Sequence, residues 1–245
     1  VLSVKGVDIS VGTGEERKTL LDEINFNVRR GDKVGIIGDN GIGKSTLLKI
    51  IQEKLEHKGL VRWNSNIKIS YFEQESTNLN KALTVMEELH HRYPSMSELE
   101  VRSLLAQVRL TGENVFKETG VISGGERAKL CFAIMMQEHG NVLILDEPTN
   151  HLDILSKELL ENALRSYTGT VLYVSHDRYF INQTATRILN ITSGRADNYI
   201  GNYDYYLEKK DAVTAAATKI SAQTAVNSPI STNSDNKNDW EKQKE

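Results

Sequence analysis

The chain has 245 residues, with 33 acids against 30 bases and a formal net charge of −3. No global basic excess draws it to nucleic acid, so any such contact must be local. No apolar run reaches the roughly 18 residues a membrane-crossing helix needs, and the single cysteine, Cys131, excludes an internal disulfide and suits a reducing compartment.

The length allows one large α/β core with a tail. No secretory signal pattern opens the chain. Because it begins at Val1 rather than Met, it is expected to be a piece of something longer. Residues 1–9 alternate in part and predict a strand, and Gly12–Glu16 a turn. Leu20–Val28 predicts a second strand with Ile24, Phe26 and Val28 on one face. After Arg29-Arg30-Gly31-Asp32 comes the apolar run Lys33–Ile37, a buried strand. It leads through Gly38-Asp39-Asn40-Gly41-Ile42-Gly43-Lys44-Ser45 into Thr46–Ile51, which has helical spacing. Two short strands follow, Gly59–Trp63 and Ile67–Phe72, then a polar stretch from Glu73 to Lys81.

The texture changes at 82–119. Leu83, Met86 and Leu89, then Leu99, Leu104, Leu105, Val108 and Leu110, have helical spacing, and Pro94 separates two helices. This reads as a helical insert that reaches about residue 135. Its last helix starts at Ser123-Gly124-Gly125 and has an apolar face over Ala128–Met136. The adjacent His90-His91 reads as a solvated face. Val142–Leu145 are four apolar residues closing in Asp146 and Glu147, the pattern of a central parallel strand. Leu152–Leu164 predicts a helix, and Thr170–Val174 a strand that ends at Ser175-His176-Asp177. Arg187–Ile191 and Arg195–Ile200 predict a hairpin about Ser193-Gly194. Gly201–Ala217 predicts a helix packed through Tyr203, Tyr206 and Leu207. Residues 220–238 read as a flexible linker, since their composition cannot offset the entropy of ordering, and 239–245 as the first turn of a charged helix cut short. The first 219 residues thus form one domain.

Strand, glycine-rich loop and helix start together match the G-x-x-x-x-G-K-[ST] phosphate loop. Glycines let backbone N–H groups wrap an anion, the helix N-terminus adds its dipole, and Lys44 brings a full charge to the β- and γ-phosphates. The Ser45 hydroxyl suits Mg²⁺, a hard cation. Asp146 ends a strand at the edge where open α/β sheets bind ligands, and is expected to hold Mg²⁺ through a water. Glu147, one residue on, is the expected general base. His176 closes a neighbouring strand at that edge and can hydrogen-bond the γ-phosphate. Ser123-Gly124-Gly125 is either a second anion cradle, serving a nucleotide held by another subunit, or a serine N-cap with glycines.

Taken together these motifs resemble the nucleotide-binding domain of ATP-binding cassette (ABC) proteins over residues 1–210: a P-loop NTPase core with a mainly parallel sheet, an antiparallel β subdomain near the N-terminus and a helical insert carrying the signature. GDNGIGKS resembles Walker A, Gln74 the Q-loop glutamine, Ile122–Glu126 the signature, Val142–Glu147 Walker B and His176 the switch histidine. Pro148–Asp153 (PTNHLD), Ser175–Ile181 and Gly201–Lys210 are similar to the F subfamily, whose members carry two cassettes, no membrane domain, and act on the ribosome, some protecting it from antibiotics. The exit into a linker and charged helix is similar to that of a second cassette.

The resemblance implies a cytoplasmic, Mg-dependent ATPase that closes as an ATP-sandwiched dimer, with a second cassette as partner, either the other half of a longer chain or another copy. It implies that Gly38, Asp39, Asn40, Gly41, Ile42, Gly43, Lys44, Ser45 and Thr46 hold the triphosphate. Ser45, Gln74 and Asp146 would organise Mg²⁺. Glu147, with Gln74, His176 and Lys44, would serve catalysis. Ser123, Gly125 and Glu126 would close over the partner's nucleotide, with Asp153 at the seam. The competing expectation is the ATP-binding subunit of a membrane transporter, with a membrane subunit as partner. The sequence departs from the pattern in the first loop, where Val11–Lys18 has no aromatic residue for the base, and in the signature, with Ile122 and Glu126 in place of leucine and glutamine.

Overall fold

The computed structural model describes residues 1–11, 18–73, 79–138, 140–150, 152–192 and 195–212. The predicted turn at 12–16, Gln74, the linker and the terminal charged helix lie outside the described residues. So does the hairpin turn at 193–194. The chain divides into two units, Val1–Tyr206 and Leu207–Glu245. Of the second, residues 207–212 are described and are helical.

Two sheets form the first unit. The smaller is antiparallel, in the order β2-β1-β4, from β1 (Leu2–Val11), β2 (Lys18–Val28) and β4 (Lys58–Trp63). The larger also includes β3 (Lys33–Gly38), β5 (Ile69–Glu73), β6 (Val142–Asp146), β7 (Thr170–Val174), β8 (Arg187–Thr192) and β9 (Arg195–Ile200). Its order is β5-β6-β7-β3-β8-β9, every neighbour pair parallel except β8 with β9. The two strands predicted for the hairpin therefore pair antiparallel, and the first also joins the central sheet beside β3. In β2, Leu21 and Ile24 are both buried although three residues apart. The irregular pairing and the positive φ of Glu23 (52°) absorb the extra residue, as a bulge does.

Strand side chains alternate between two cores, as the two-residue period of a strand requires. Val34, Ile36, Val142, Ile144, Leu172 and Val174 face the antiparallel sheet and α1 (Lys44–Ile51). Ile37, Leu143, Leu145, Val171 and Tyr173 face the opposite core. That core also holds α2 (Val85–Arg92), α3 (Glu98–Gln107), α4 (Gly124–Gln137), α5 (Ile154–Ser166) and α6 (Arg178–Thr184). The sheet is thus covered on both faces, which is why its strands read as unbroken apolar runs.

Helix boundaries follow capping chemistry. Thr84, Ser97 and Ser123 cap α2, α3 and α4 in reciprocal capping boxes with Glu87, Glu100 and Glu126. Asp153 caps α5 by accepting from the Ser156 N–H, so Leu152 precedes that helix rather than opening it. In α3 the buried positions are Val101, Leu104 and Leu105, continued by Val108. Leu99 is 78% exposed, on the far side of that stripe. α4 is buried nearly all round, at Ala128 and at 130–135, rather than on one face. α6 was not legible as a separate helix: it has seven residues between two strands. Tyr206 is buried against Tyr199 and Tyr203, while Leu207 is exposed.

Candidate functional site

The site is built where β3, β6 and β7 end side by side. Parallel pairing sets Ile36 opposite Val174 and Asp146 opposite Val174, so the residues following these strands arrive together. The loop after β3 depends on two glycines. Gly38 has φ 150° and lies so near the Ile191 carbonyl that a side chain would collide with backbone. Gly43 has φ 107°, caps α1 without a side chain, and packs against Ile9 and Leu20. Asp39, Asn40 and Gly41 are exposed between them, and Ile42 is half-buried against the antiparallel-sheet core. Thr46 lies in the first turn of α1.

Lys44 is almost fully buried, which is unusual for lysine. Its ammonium donates to the Gly38 and Asp39 carbonyls, each at 2.9 Å. Burial lowers its pKa, and the carboxylates of Glu147, Asp39 and Asp146 act in the other direction. Ser45 is exposed and donates its hydroxyl to Asp146 Oδ1 at 3.1 Å. Glu147 has a positive φ of 47°, strained for a side chain of its size. Its N–H donates to the Val174 carbonyl at 3.0 Å, which pins the turn to β7. Both of its carboxylate oxygens meet His176. Oε1 lies 3.3 Å from Nε2, and Oε2 accepts from the His176 N–H at 3.3 Å. Burial pushes the Glu147 carboxyl above its ordinary value, against the opposing pull of His176 and Lys44.

Five predicted residues therefore converge: Lys44, Ser45, Asp146, Glu147 and His176. Gln74 follows β5, the strand beside β6, and lies outside the described residues. Ser123, Gly125 and Glu126 do not join the group. Among the described residues, no hydrogen bond or ion pair links them to the loop at 38–46. Ser123 caps α4, and the Glu126 carboxylate accepts from the Ser123 N–H at 2.9 Å and lies 3.4 Å from Lys117 Nζ. That backbone bond holds the Glu126 carboxyl below its usual range. The Asp153 carboxylate lies beside Gly125, so the starts of α4 and α5 are near one another. His91 is exposed in the last turn of α2, and Cys131 is buried without a disulfide.

The residue-by-residue reading missed a buried hydroxyl pair. Thr149 Oγ1 and Ser175 Oγ lie 3.1 Å apart and tie the ends of β6 and β7 together, and Ser175 also accepts from the Asp177 N–H. Asp177 then caps α6 and pairs with Lys157 at 2.7 Å. Thr149 and Ser175 each sit beside a noticed residue, but their pairing depends on a strand adjacency that no local pattern reports.

The residues present suit a divalent cation in chemistry: Ser45 and Asp146 offer oxygen donors only. No group of three or more His, Cys, Asp or Glu is placed to hold a metal among the described residues. An ion here would thus take most of its ligands from phosphate and water, as Mg²⁺ commonly does. No helix among the described residues is long and apolar enough to cross a membrane.

Residues 21–150 match the family model described as ABC transporter. YdiF of Bacillus subtilis (strain 168) is 43% identical over 244 residues, 99% of this chain and 38% of that protein. ABC transporter F family member 5 of Arabidopsis thaliana is 40% identical over 85% of this chain and 30% of its own length. Energy-dependent translational throttle protein EttA of Escherichia coli (strain K12) is 35% identical over 88% of this chain and 39% of its own. The chain thus spans between 30% and 39% of these relatives. Among solved structures, a dimeric ATP-binding cassette in a post-hydrolysis state with ADP and Pi superposes with a TM-score of 0.67 at 24% identity. That match covers 82% of this chain and 98% of that one.

Proposed function

The chain belongs to the ABC transporter family of P-loop ATPases, and we propose that it is an F-subfamily cassette, the second of a two-cassette chain, that hydrolyses ATP with Mg²⁺ and closes face to face with a partner cassette. The observation that carries the chemistry is the meeting of Lys44, Ser45, Asp146, Glu147 and His176 at one sheet edge, from three adjacent strands. The F-subfamily reading is supported by PTNHLD at 148–153 and by relatives named as F family members or as a translational throttle. A cytoplasmic role on the ribosome belongs to this proposal. The competing role, energising a membrane subunit, is separated from it by co-sedimentation with ribosomes or with membranes.

In the proposed reaction the backbone N–H groups of 39–46 and the start of α1 cradle the triphosphate. Lys44 gives up its two carbonyl partners for phosphate oxygens. Ser45 and Asp146, with Gln74 after β5, would hold Mg²⁺, which supplies positive charge against the phosphate oxygens when bound. Glu147 Oε takes the proton of the attacking water. A carboxyl raised by burial is a better base than an ordinary one. His176 withdraws from Glu147 to hydrogen-bond the γ-phosphate, and Ser123, Gly125 and Glu126 meet the nucleotide of the partner cassette. Phosphoryl transfer asks little covalent chemistry of the protein, so positioning and charge dominate. Uptake of labelled ATP by the purified chain in magnesium buffer tests the reading. Binding that disappears in Lys44→Ala supports it, and no uptake by the unaltered chain overturns it.

A further inference from the structure

At the opposite edge of the same sheet, where β3, β7 and β8 begin, contacts hold Lys33, Arg165 and Arg187, and the turn leading into β3 adds Arg29 and Arg30. The turn Arg29–Asp32 closes through the Asp32 N–H to the Arg29 carbonyl, and the Gly31 N–H donates to Thr170 Oγ1 at 3.1 Å. Lys33 Nζ donates to the Arg165 carbonyl at 2.8 Å. The Arg165 guanidinium, in turn, holds the Gln183 carbonyl at 3.1 Å and its side-chain amide. Arg187 pairs with Asp32 at 2.8 Å and bonds Asn198.

The carboxylates in and beside this network are few. Asp32 is neutralised by Arg187. Asp204, bonded to Asn182, lies next to the Arg165 contact. Glu161, on α5 below Arg165, is buried, and burial raises its carboxyl. Arg29, Arg30 and Arg165 are exposed; the Arg29 N–H donates to the Asp32 carboxylate at 2.8 Å, but among the described residues neither the Arg29 nor the Arg30 guanidinium forms an ion pair. A chain of formal charge −3 therefore carries a local excess of positive charge at this edge, with Lys33 and Arg165 anchored on backbone carbonyls. Four of the five cations are arginines, whose planar forks match phosphate oxygens in pairs.

We infer that this edge is an interaction surface for the phosphate backbone of a structured RNA, a reading that rests on the ribosome-directed role proposed above. The alternative polyanion, an anionic bilayer, is less favoured. Ile200, paired with Arg187 between β8 and β9, is an exposed aliphatic residue at this edge, set beside Arg187 rather than within an aliphatic cluster, whereas a membrane-seeking face carries several. The contact is electrostatic and indifferent to base sequence.

The test measures binding of a structured RNA hairpin to the purified chain between about 50 and 200 mM salt. With Arg29, Arg30, Lys33 and Arg165 on phosphates, the logarithm of the binding constant should fall with a slope of about −3 against log salt, an affinity loss of about 60-fold. Arg29→Ala with Arg30→Ala should reduce the slope to about −1.5 and the loss to about eightfold. Arg29→Lys with Arg30→Lys should retain the parent slope. The same double change to alanine should leave ATP turnover and thermal unfolding unchanged. An unchanged slope in the alanine variant, or tighter binding to phosphatidylserine–phosphatidylcholine vesicles than to RNA, overturns the inference. Ribosome co-sedimentation separates the two proposals. If the parent chain binds RNA through this edge but not ribosomes, the ribosomal role fails and the surface stands. If it binds ribosomes equally well without Arg29 and Arg30, the surface fails and the role stands.

Discussion

Ser123 does one thing visibly and is proposed to do another, and a glycine substitution separates them. Its hydroxyl accepts from the Glu126 N–H at 3.2 Å, and its own N–H is held by the Glu126 carboxylate at 2.9 Å. Replacing a serine cap by alanine costs about 1 kcal/mol, but by glycine only a few tenths. In a domain of this size 1 kcal/mol moves Tm by about 2–4 °C. Ser123→Ala should therefore unfold about 2–4 °C lower, and Ser123→Gly within about 1 °C of the parent, because glycine is itself an acceptable N-cap and alanine is not; the Glu126 half of the capping box, made to the backbone N–H, survives in both. If the hydroxyl also meets the partner's γ-phosphate, each seam loses a hydrogen bond to a charged group, worth about 1.5–3 kcal/mol. Two seams then weaken ATP-dependent dimerisation by at least about a hundredfold. The assay is size-exclusion chromatography with magnesium and ATP in a Glu147→Gln background, beside thermal unfolding of each variant. If Ser123→Gly dimerises as well as its parent, the hydroxyl serves only as a cap and the trans contact is wrong.

Glu147→Gln should lower turnover by about 10²–10⁴-fold while trapping an ATP-bound dimer; retained turnover would remove Glu147 as the base. The same variant carries a pH signature. Burial raises the Glu147 carboxyl in the folded chain, so ionising it costs stability that is missing below the ordinary glutamate value of about 4.3 and fully felt above the folded value. Glu147→Gln should therefore melt above the parent at about pH 8, with the gap closing toward about pH 4; a constant gap would show that the charge is not its origin. Chelating divalent cations should weaken ATP binding by at least about tenfold, read by fluorescent-nucleotide titration, since three carboxylates face the phosphate site. Base stacking is worth about 1–3 kcal/mol, and the first loop has no aromatic residue, so GTP should compete with ATP within about tenfold. A preference for ATP well beyond about a hundredfold would contradict this.

The residues that could be read in advance are those whose chemistry is local. A glycine loop between an apolar run and a helix, or carboxylates closing such a run, announce a sheet edge because each lies within a few positions of the pattern that explains it. The alternation of two cores along β3, β6 and β7 was likewise implicit in unbroken apolar strands. What stayed hidden depends on partners far along the chain. Thr149 and Ser175 meet only because β6 and β7 are neighbours. Leu99 fits the helical spacing yet faces outward, because Val101, Leu104 and Leu105 form the stripe that α3 buries. The carboxylate of Glu126 also closes the cap of its own helix, a bond its reading as a nucleotide contact does not include.

The near-neutral net charge conceals a separation along the strands. Three carboxylates, Asp39, Asp146 and Glu147, surround Lys44 where the strands end, while the arginine network gathers where they begin. A triphosphate approaching the first edge meets those carboxylates as well as the lysine and the helix dipole. A helix N-terminus is equivalent to about half a charge, and Lys44 supplies one more, against three negative groups. The site is therefore short of positive charge for its own anion. This shortfall is the physical reason to expect the nucleotide and a divalent cation to arrive together, with Ser45 and Asp146 as the oxygens that receive the ion. The opposite edge has the converse imbalance: Lys33 and Arg165 are anchored on carbonyls, Arg29 and Arg30 are exposed beside them, and an anion from outside the domain is the proposed partner of that surplus. Because β3 and β7 run from one edge to the other, a partner held at the arginines and a nucleotide held at Lys44 grip the two ends of the same strands.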